Sequence, residues 1–344
     1  MLPRVTIAMP AFNEERYLAA CIASVQAQDY PAELIEVLIA DGRSTDRTRE
    51  IIAELRAADP RIRLIDNPDR LQAPGLNRVV REASGDVVVR MDVHCEYAPD
   101  YVRRCVETLA STGADNVGGA QRARARTFFQ RALCAALTSP LGVGGASYRS
   151  ADKEGFVDTV FLGAFRRAVF ERVGLWDPHA ITNEDADLNQ RILAGGGRIF
   201  LSRDIVVHYY PRDSYRTLAR QYYKYGRGRA RTLLKLGRFP TVRPLVPFLM
   251  VSAGVTMAAL PPLWPALGPA VAAYLLATGA EAVRVSVGAG AGAAAIPVVW
   301  GIFPVLHVAH GAGFATGLWH YLRHRDWDQQ PERAAPRRAH LRVV

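Results

Sequence analysis

Two clusters of ionisable residues carry the chemistry this sequence could do: Asp92-Val93-His94, and Glu184-Asp185 with Asp187. The first ends an apolar run, Val87-Val88-Val89 and then Met91, that reads as a buried strand. Strand residues two apart share a face, so Asp92 and His94 are expected to point together from its C-terminal edge. Carboxylate oxygens and imidazole nitrogens both ligate divalent cations. A loop aspartate beside a solvated histidine gives the same three residues, because so short a motif is weak. The second cluster opens a helical pattern, DADLNQRILAGG. Its acids are candidate proton acceptors, or simply an acidic first turn that complements the helix dipole.

The elements that must position these groups alternate along the first 210 or so residues. Strands are expected at 4–10, 33–41, 61–67 and 86–92, and helices at 14–28, 44–58 and 71–84. Such alternation argues for βαβ units, hence a parallel sheet with helices on both faces. Ligands in such sheets bind beyond the carboxyl ends of the strands. Three polar clusters fall there: AFNEE after the first strand, DGRSTD after the second and DVH after the fourth. Ser44 and Asp46 could equally serve as caps of the next helix.

Bulk properties narrow the function. At 49% hydrophobic and 22% charged residues the 344-residue chain is not disordered. The net charge of +10 comes from arginine, since Lys153, Lys224 and Lys235 are the only lysines. It implies an anionic partner: nucleotide phosphate, membrane surface or nucleic acid. Cys21, Cys95, Cys105 and Cys134 lack metal-type spacing and suggest no disulfide framework, which fits a reducing compartment. The N-terminus does not read as a signal peptide.

The C-terminal part reads differently. Between Asp213 and Glu281 there is no acid, while Arg216, Arg220, Lys224, Arg227, Arg229, Arg231, Lys235 and Arg238 follow in close order. Residues 244–280 carry no charge, and 285–322 contain no Asp, Glu, Lys or Arg. Long apolar runs are the mark of membrane spans, and helices are expected at 245–260, 265–283 and 296–320. The arginine-rich tail and the basic segment would both lie on the cytoplasmic side by the positive-inside rule. That requires an even number of crossings, so one segment would be re-entrant or interfacial. The expected divisions are a catalytic domain over 1–212, a basic amphipathic interfacial region over 213–243, a hydrophobic membrane region over 244–322 and a tail over 323–344. Aromatic and basic residues interleaved near 221–235 also suit single-stranded nucleic acid, but the adjoining apolar runs favour a membrane surface and no nucleic-acid partner.

Several ordered blocks, IAMPAFNEERYLAACIASVQAQDYP, VLIADGRSTDRT, MDVH, FLGAFRRAVFERVGLWD, NEDADLNQRI and QYYKYG, resemble the GT-A glycosyltransferases of family 2. These are inverting enzymes that use nucleotide sugars, and the resemblance covers about residues 4–240. Within the family the sequence is most similar to membrane-anchored exopolysaccharide enzymes of the succinoglycan glucosyltransferase type, which share the D-x-H variant and a segment like GVGGASYR at 142–149.

The resemblance implies an α/β, Rossmann-like GT-A domain followed by C-terminal transmembrane helices. It places Asp92 and His94 at the family's D-x-D position, holding a divalent cation, Mg2+ or Mn2+; His208, which ends another expected strand, could complete the metal or diphosphate site or be a structural histidine. The His94 imidazole departs from the commoner second aspartate and would favour Mn2+. Asp185 becomes the base that takes the acceptor proton, with Glu184 in support. Pro10, Ala11, Asn13 and Glu14 match residues lining base and ribose, Asp41 the acid at the uracil edge, and Gly163 and Arg166 a segment bordering donor sugar and acceptor. Arg70 and Gln72 could border the nucleotide or lie in a solvated turn. Gln221, Lys224 and Tyr225 stand where processive synthases carry Q-x-x-R-W, with Lys for Arg and Tyr for Trp. The function implied is transfer of a sugar, glucose by resemblance, from a UDP-sugar to a lipid-linked saccharide at a bacterial-type plasma membrane. The catalytic domain would lie in the cytoplasm on a multi-pass anchor. A polyprenyl-phosphate sugar synthase and a catalytically silent nucleotide-sugar-binding scaffold are the alternatives.

Overall fold

The computed structural model describes residues 1–143, 152–237, 242–327 and 332–334; most of the 142–149 segment lies outside them. The strands are β1 Val5–Ala11, β2 Ile35–Asp41, β3 Ile62–Asp66, β4 Val87–Arg90, β5 Cys95–Tyr97, β6 Asn116–Gly119, β7 Gln121–Ala123, β8 Gly155–Phe156, β9 Phe161–Arg166, β10 Ile199–Leu201 and β11 Val207–Tyr209. The helices are α1 Leu18–Gln26, α2 Thr48–Ala58, α3 Gln72–Glu82, α4 Tyr101–Thr112, α5 Phe128–Leu137, α6 Pro140–Val143, α7 Ala168–Val173, α8 Glu184–Ala194, α9 Tyr215–Leu236, α10 Val246–Ala259, α11 Trp264–Gly288 and α12 Ile296–Arg323.

The chain divides into two compact units. The first holds the described residues of Met1–Arg122, Ser150–His208 and Gln329–Val344, and the second those of Ala123–Arg149 and Tyr209–Asp328.

The first unit is built on an eight-stranded sheet in the order β3-β2-β1-β4-β9-β6-β10-β8. Strands β3, β2, β1 and β4 run parallel, as βαβ alternation predicts. The sheet is mixed, however, not parallel throughout. β9 is antiparallel to both β4 and β6, and β8 is antiparallel to β10. β1 and β4 are almost entirely buried, which explains their unbroken apolar runs. One face packs Leu76, Val79 and Val80 of α3 against Val88, and Phe165, Phe170 and Trp176 join the same core. These three rings lie 4.8–5.5 Å apart, centroid to centroid. Strands β5, β11 and β7 form a second, three-stranded sheet.

The second unit is helical. α9 starts at Ser214, whose side chain accepts a hydrogen bond from the Thr217 N–H, and stops at Gly237 with φ of 67°, a left-handed value that glycine takes without strain. Pro261–Gly288 and Ala293–Arg323 are long and apolar enough to cross a membrane. The 14 residues of α10 reach only about 21 Å, short of a ~30 Å hydrocarbon core. Leu133, Ala136, Leu218, Val285, Val299, Ile302, Phe303 and Leu306 contribute to this unit's apolar core.

Candidate active site

The site forms beyond the carboxyl ends of β1, β2 and β4. Arg90 is the last residue of β4, and the Met91 N–H still donates to the Ala8 carbonyl of β1. The chain then turns, and the Asp92 carbonyl accepts from Tyr97 Oη at 3.0 Å and the Cys95 N–H at 3.2 Å. His94 therefore sits in a turn, not on an extended strand. The side chain that shares Asp92's direction is instead Arg90, two residues back.

Arg90 organises the site. Its side chain is 4% exposed. Nε donates to Asp92 Oδ1 at 3.0 Å and Nη2 to Asp92 Oδ2 at 3.2 Å. Nη1 reaches both oxygens of Asp185 at 2.6 Å and Glu184 Oε1 at 3.1 Å. One guanidinium thus joins carboxylates from positions more than ninety residues apart. Gln72, at the start of α3, donates Nε2 to both Asp92 oxygens at 3.3 Å. Glu184 and Asp185 lie in the first turn of α8, which follows Asn183 in a left-handed conformation. Asp187 points elsewhere: it pairs with Arg191 at 3.0 Å, and Arg191 also donates to the carbonyls of Val173, Gly174 and Leu175.

Trp176 completes the holding of Asp185, its Nε1 donating to Oδ1 at 3.0 Å. Trp176 is fully buried, and Asn77 fixes its backbone: Asn77 Nδ2 donates to the Trp176 carbonyl at 2.7 Å and Asn77 Oδ1 accepts from the Trp176 N–H at 2.9 Å. Oδ1 of Asp185 therefore accepts from both Trp176 and Arg90, whereas Oδ2 accepts from Arg90 alone. A carboxylate oxygen has two acceptor sites, so among the described residues Oδ2 keeps one of them open.

Electrostatics separates the three acids. Burial pushes the Asp92 carboxyl up, but the charge and hydrogen bonds of Arg90, with His94 and Gln72, outweigh it and hold Asp92 below the usual aspartate range. Glu184 is pushed up to about 7, first by burial and then by the charge of Asp185. Burial also raises Asp185, with the Arg90 charge opposing. Burial disfavours the charge on Arg90, but Asp185, Asp92 and Glu184 together reverse that and keep it protonated.

The residues expected on the nucleotide side converge on the first two loops. The Asn13 N–H donates to Ser44 Oγ at 2.8 Å, its Oδ1 accepts from the Thr45 N–H at 2.9 Å, and the Glu14 N–H donates to Thr48 Oγ1 at 2.7 Å. Pro10 and Ala11 end β1 beside Ala40 and Asp41 of β2. Asp41 is fully buried and bonded to Ser44 and Arg49. Arg70 adopts a left-handed φ of 56° in the loop before α3.

Other expected residues fall elsewhere. Arg166 pairs in register with Val87 at the start of β4, about 16 Å along the strand from Asp92. Its guanidinium donates to the carbonyls of Ala114 and Leu109, so the structure does not bring it to the site. The antiparallel course of β9 is the reason. Gly163 has φ of 106°, and a Cβ there would come within 2.7 Å of Asn116 Oδ1 and 2.8 Å of the Phe165 ring; protein, rather than open space, occupies that direction. Gln221 and Lys224 belong to α9 in the second unit, where Gln221 Nε2 donates to Tyr225 Oη at 3.0 Å.

Asp92 and His94 offer one carboxylate and one partly exposed imidazole, and His94 Nδ1 lies 3.8 Å from Glu14 Oε1. A carboxylate and an imidazole suit a borderline divalent cation, but Arg90 and Gln72 occupy both acceptor sites of each Asp92 oxygen, so a cation there would displace the 3.3 Å Gln72 contacts. Among the described residues no group of three or more His, Cys, Asp and Glu side chains gathers as a metal cage, so His208, on β11, does not complete one with Asp92 and His94. Sequence reasoning missed Arg90 and Trp176. A single arginine inside VVVRMD was the available signal, since a charge within a buried strand needs partners.

The comparisons agree with this geometry. Residues 6–174 match the description Glycosyl transferase family 2. The chain is 34% identical over 321 residues to the succinoglycan biosynthesis protein ExoA of Rhizobium meliloti (strain 1021), covering 92% of this chain and 96% of that one. It is 29% identical over 230 residues to the dolichyl N-acetyl-alpha-D-glucosaminyl phosphate 3-beta-D-2,3-diacetamido-2,3-dideoxy-beta-D-glucuronosyltransferase of Methanococcus voltae, covering 64% and 71%. The fold matches that of a mannosyltransferase from Pyrobaculum calidifontis, solved with GDP-Man and Mn2+, at a TM-score of 0.61 and 21% identity, covering 93% and 88%. A GT-A sheet with an acidic site at its carboxyl edge, and identity of that extent, make this chain a member of glycosyltransferase family 2.

Proposed function

We propose that the protein is an inverting glycosyltransferase that moves glucose from a UDP-sugar to a lipid-linked saccharide during extracellular polysaccharide synthesis. The observation that carries the reading is the convergence of Asp92 and Asp185 on one guanidinium. A group that grips the donor's diphosphate and a group that takes the acceptor's proton must stand a fixed distance apart, because in-line displacement demands it. Asp185, through Oδ2, receives the proton of the attacking hydroxyl, and the glycosidic bond to the diphosphate breaks on the opposite side of the anomeric carbon. A single displacement of this kind inverts that centre.

Asp92 and His94 would hold a divalent cation, which supplies charge neutralisation on the departing diphosphate. Asn13, Glu14 and Asp41 form the corner suited to base and ribose. The lipid-linked acceptor draws support from the dolichyl-linked substrate in the name of the Methanococcus relative, and the polysaccharide role from the name of the Rhizobium relative. The long apolar helices attach the enzyme to a membrane, with the catalytic unit facing the cytoplasm.

Membranes containing the protein, supplied with labelled nucleotide sugars and extracted lipid acceptors, should yield a product with a new sugar–sugar bond by mass. A sugar–phosphate bond instead would assign it as a polyprenyl-phosphate sugar synthase. Asp185→Asn should abolish transfer and retain UDP binding. Polysaccharide output left unchanged by that variant would instead favour a catalytically silent nucleotide-sugar-binding scaffold.

A further inference from the structure

The longest apolar helix, α12, does not stand alone. Tyr215 Oη at the start of α9 donates to the Val298 carbonyl at 2.8 Å, and Thr316 Oγ1 donates to Tyr223 Oη at 2.8 Å. Arg231 Nε reaches Asp326 Oδ1 at 2.7 Å. Between these points the backbones nearly touch. A Cβ on Gly226 would come 2.1 Å from the His310 carbonyl oxygen, and one on Gly313 2.1 Å from that of Tyr223. On Gly317 it would come 2.9 Å from the Arg227 Cα. The partners of α9 residues 215 to 231 lie between 298 and 326, so the two helices run side by side in the same direction over most of their length.

That companionship conflicts with a membrane crossing. Arg216, Arg220 and Lys224 are exposed on α9 and fall within about 80° of arc. Cations exposed to hydrocarbon are among the costliest placements a helix can make. Wherever α9 lies, α12 lies, and a basic helix of this kind belongs at the headgroup level.

Chain parity limits what the neighbouring helices can do. Residues 332–334, beyond α12, are bonded into the first unit: the Leu175 N–H donates to the Glu332 carbonyl at 2.7 Å, the Ala334 N–H donates to the Phe170 carbonyl at 3.2 Å, and Glu332 pairs with Arg81. The chain leaves that unit after His208 and returns to it by Glu332. Both ends of the helical region are therefore on one side of the membrane, so the crossings are even in number; α10 is too short to cross, and with α12 out of the count α11 cannot cross alone.

Resting on the membrane attachment proposed above, we infer that α12 lies in the plane of an anionic lipid surface beside α9 and does not cross the bilayer. Its large exposed apolar side chains, Trp300, Val308, Trp319 and Leu322, fall within about 100° of arc along its full length. A helix lying flat presents one such unbroken stripe to lipid.

The test places single spin-labelled cysteines at these four positions of the full chain, with native cysteines replaced, on vesicles of phosphatidylethanolamine and phosphatidylglycerol. Flotation comes first. A chain that stays in the aqueous fraction refutes membrane attachment and the in-plane helix together. For a chain that floats, the expected depths agree to within about a helix radius, ~5 Å. A steady change approaching about 33 Å between 300 and 322, the axial length of that stretch, overturns the in-plane placement alone. As a second readout, Arg220→Cys and Arg323→Cys, at exposed polar positions off the apolar stripe, should both react with a membrane-impermeant thiol reagent in inverted membrane vesicles; reaction of only one overturns it.

Discussion

Arg90 Nη1 stands 2.6 Å from each carboxylate oxygen of Asp185. The same guanidinium holds Asp92 by its other two nitrogens, so the separation between the diphosphate-side acid and the proposed base is set by one planar group. Arginine suits this role because its fork can engage two carboxylates at once, which a lysine ammonium, a point charge, cannot do with the same geometry.

Arg90→Met leaves Asp92, Glu184 and Asp185 partly or wholly buried without their counter-charge. Removing one partner of a buried ion pair costs about 3–5 kcal/mol, and denaturant unfolding should show a loss of that size. Arg90→Lys keeps the charge and loses the fork. It should recover most of the stability but little of the transfer rate. Equal recovery of both would show that Arg90 acts as a charge and not as a spacer.

The parallel half of the fold was legible because β1, β2 and β4 are buried on both faces, and such strands write themselves as unbroken apolar runs. The placement of β9 was not. FLGAFR says strand, yet nothing local states which way it runs, and its antiparallel register sends Arg166 to the far end of β4. Asp92 and Asp185 were legible through motif likeness. Arg90 was hidden because two of its three acidic partners, Glu184 and Asp185, lie more than ninety residues ahead, and Trp176 because an indole in GLWD reads first as core, which it also is.

Glu184 should make stability depend on pH. Its folded value, about 7, lies above the ordinary glutamate value of 4.5. Between those limits the folded state binds more protons than the unfolded one, so stability falls as pH rises. The contribution is complete below pH 4.5 and lost as pH passes through about 7. One proton sets a ceiling of about 1.4 kcal/mol per pH unit. Unfolding free energies measured across this window should slope downward in the native protein, and more weakly in Glu184→Gln. Parallel slopes would place the titration on another group.

Asp92→Ala removes the carboxylate proposed to hold the cation and leaves Arg90 free to pair with Asp185 and Glu184 alone. UDP binding measured by calorimetry with Mn2+ should weaken at least about tenfold, a loss of about 1.4 kcal/mol. Binding measured in a chelator should change little between the native protein and the variant. An unchanged difference between the two conditions would move the cation away from Asp92.

Trp176→Phe isolates the indole N–H. The phenyl ring can keep the contacts with Phe165 and Phe170, which lie 5.5 and 4.8 Å away centroid to centroid, so a modest stability change is expected. What disappears is the 3.0 Å hydrogen bond to Asp185 Oδ1. That bond stabilises the carboxylate and fixes its rotation, leaving Oδ2 for the proposed acceptor proton. Without it the base should rotate on Arg90 and hold a proton to higher pH. The maximal transfer rate should fall about tenfold, the measure of a lost hydrogen bond to a charged group at 1.4 kcal/mol or more. The KM for the nucleotide sugar should stay within about twofold, because the indole touches the base and not the diphosphate. The acidic limb of the rate profile should move to higher pH. A rise in KM with the maximal rate preserved would instead put Trp176 in donor binding.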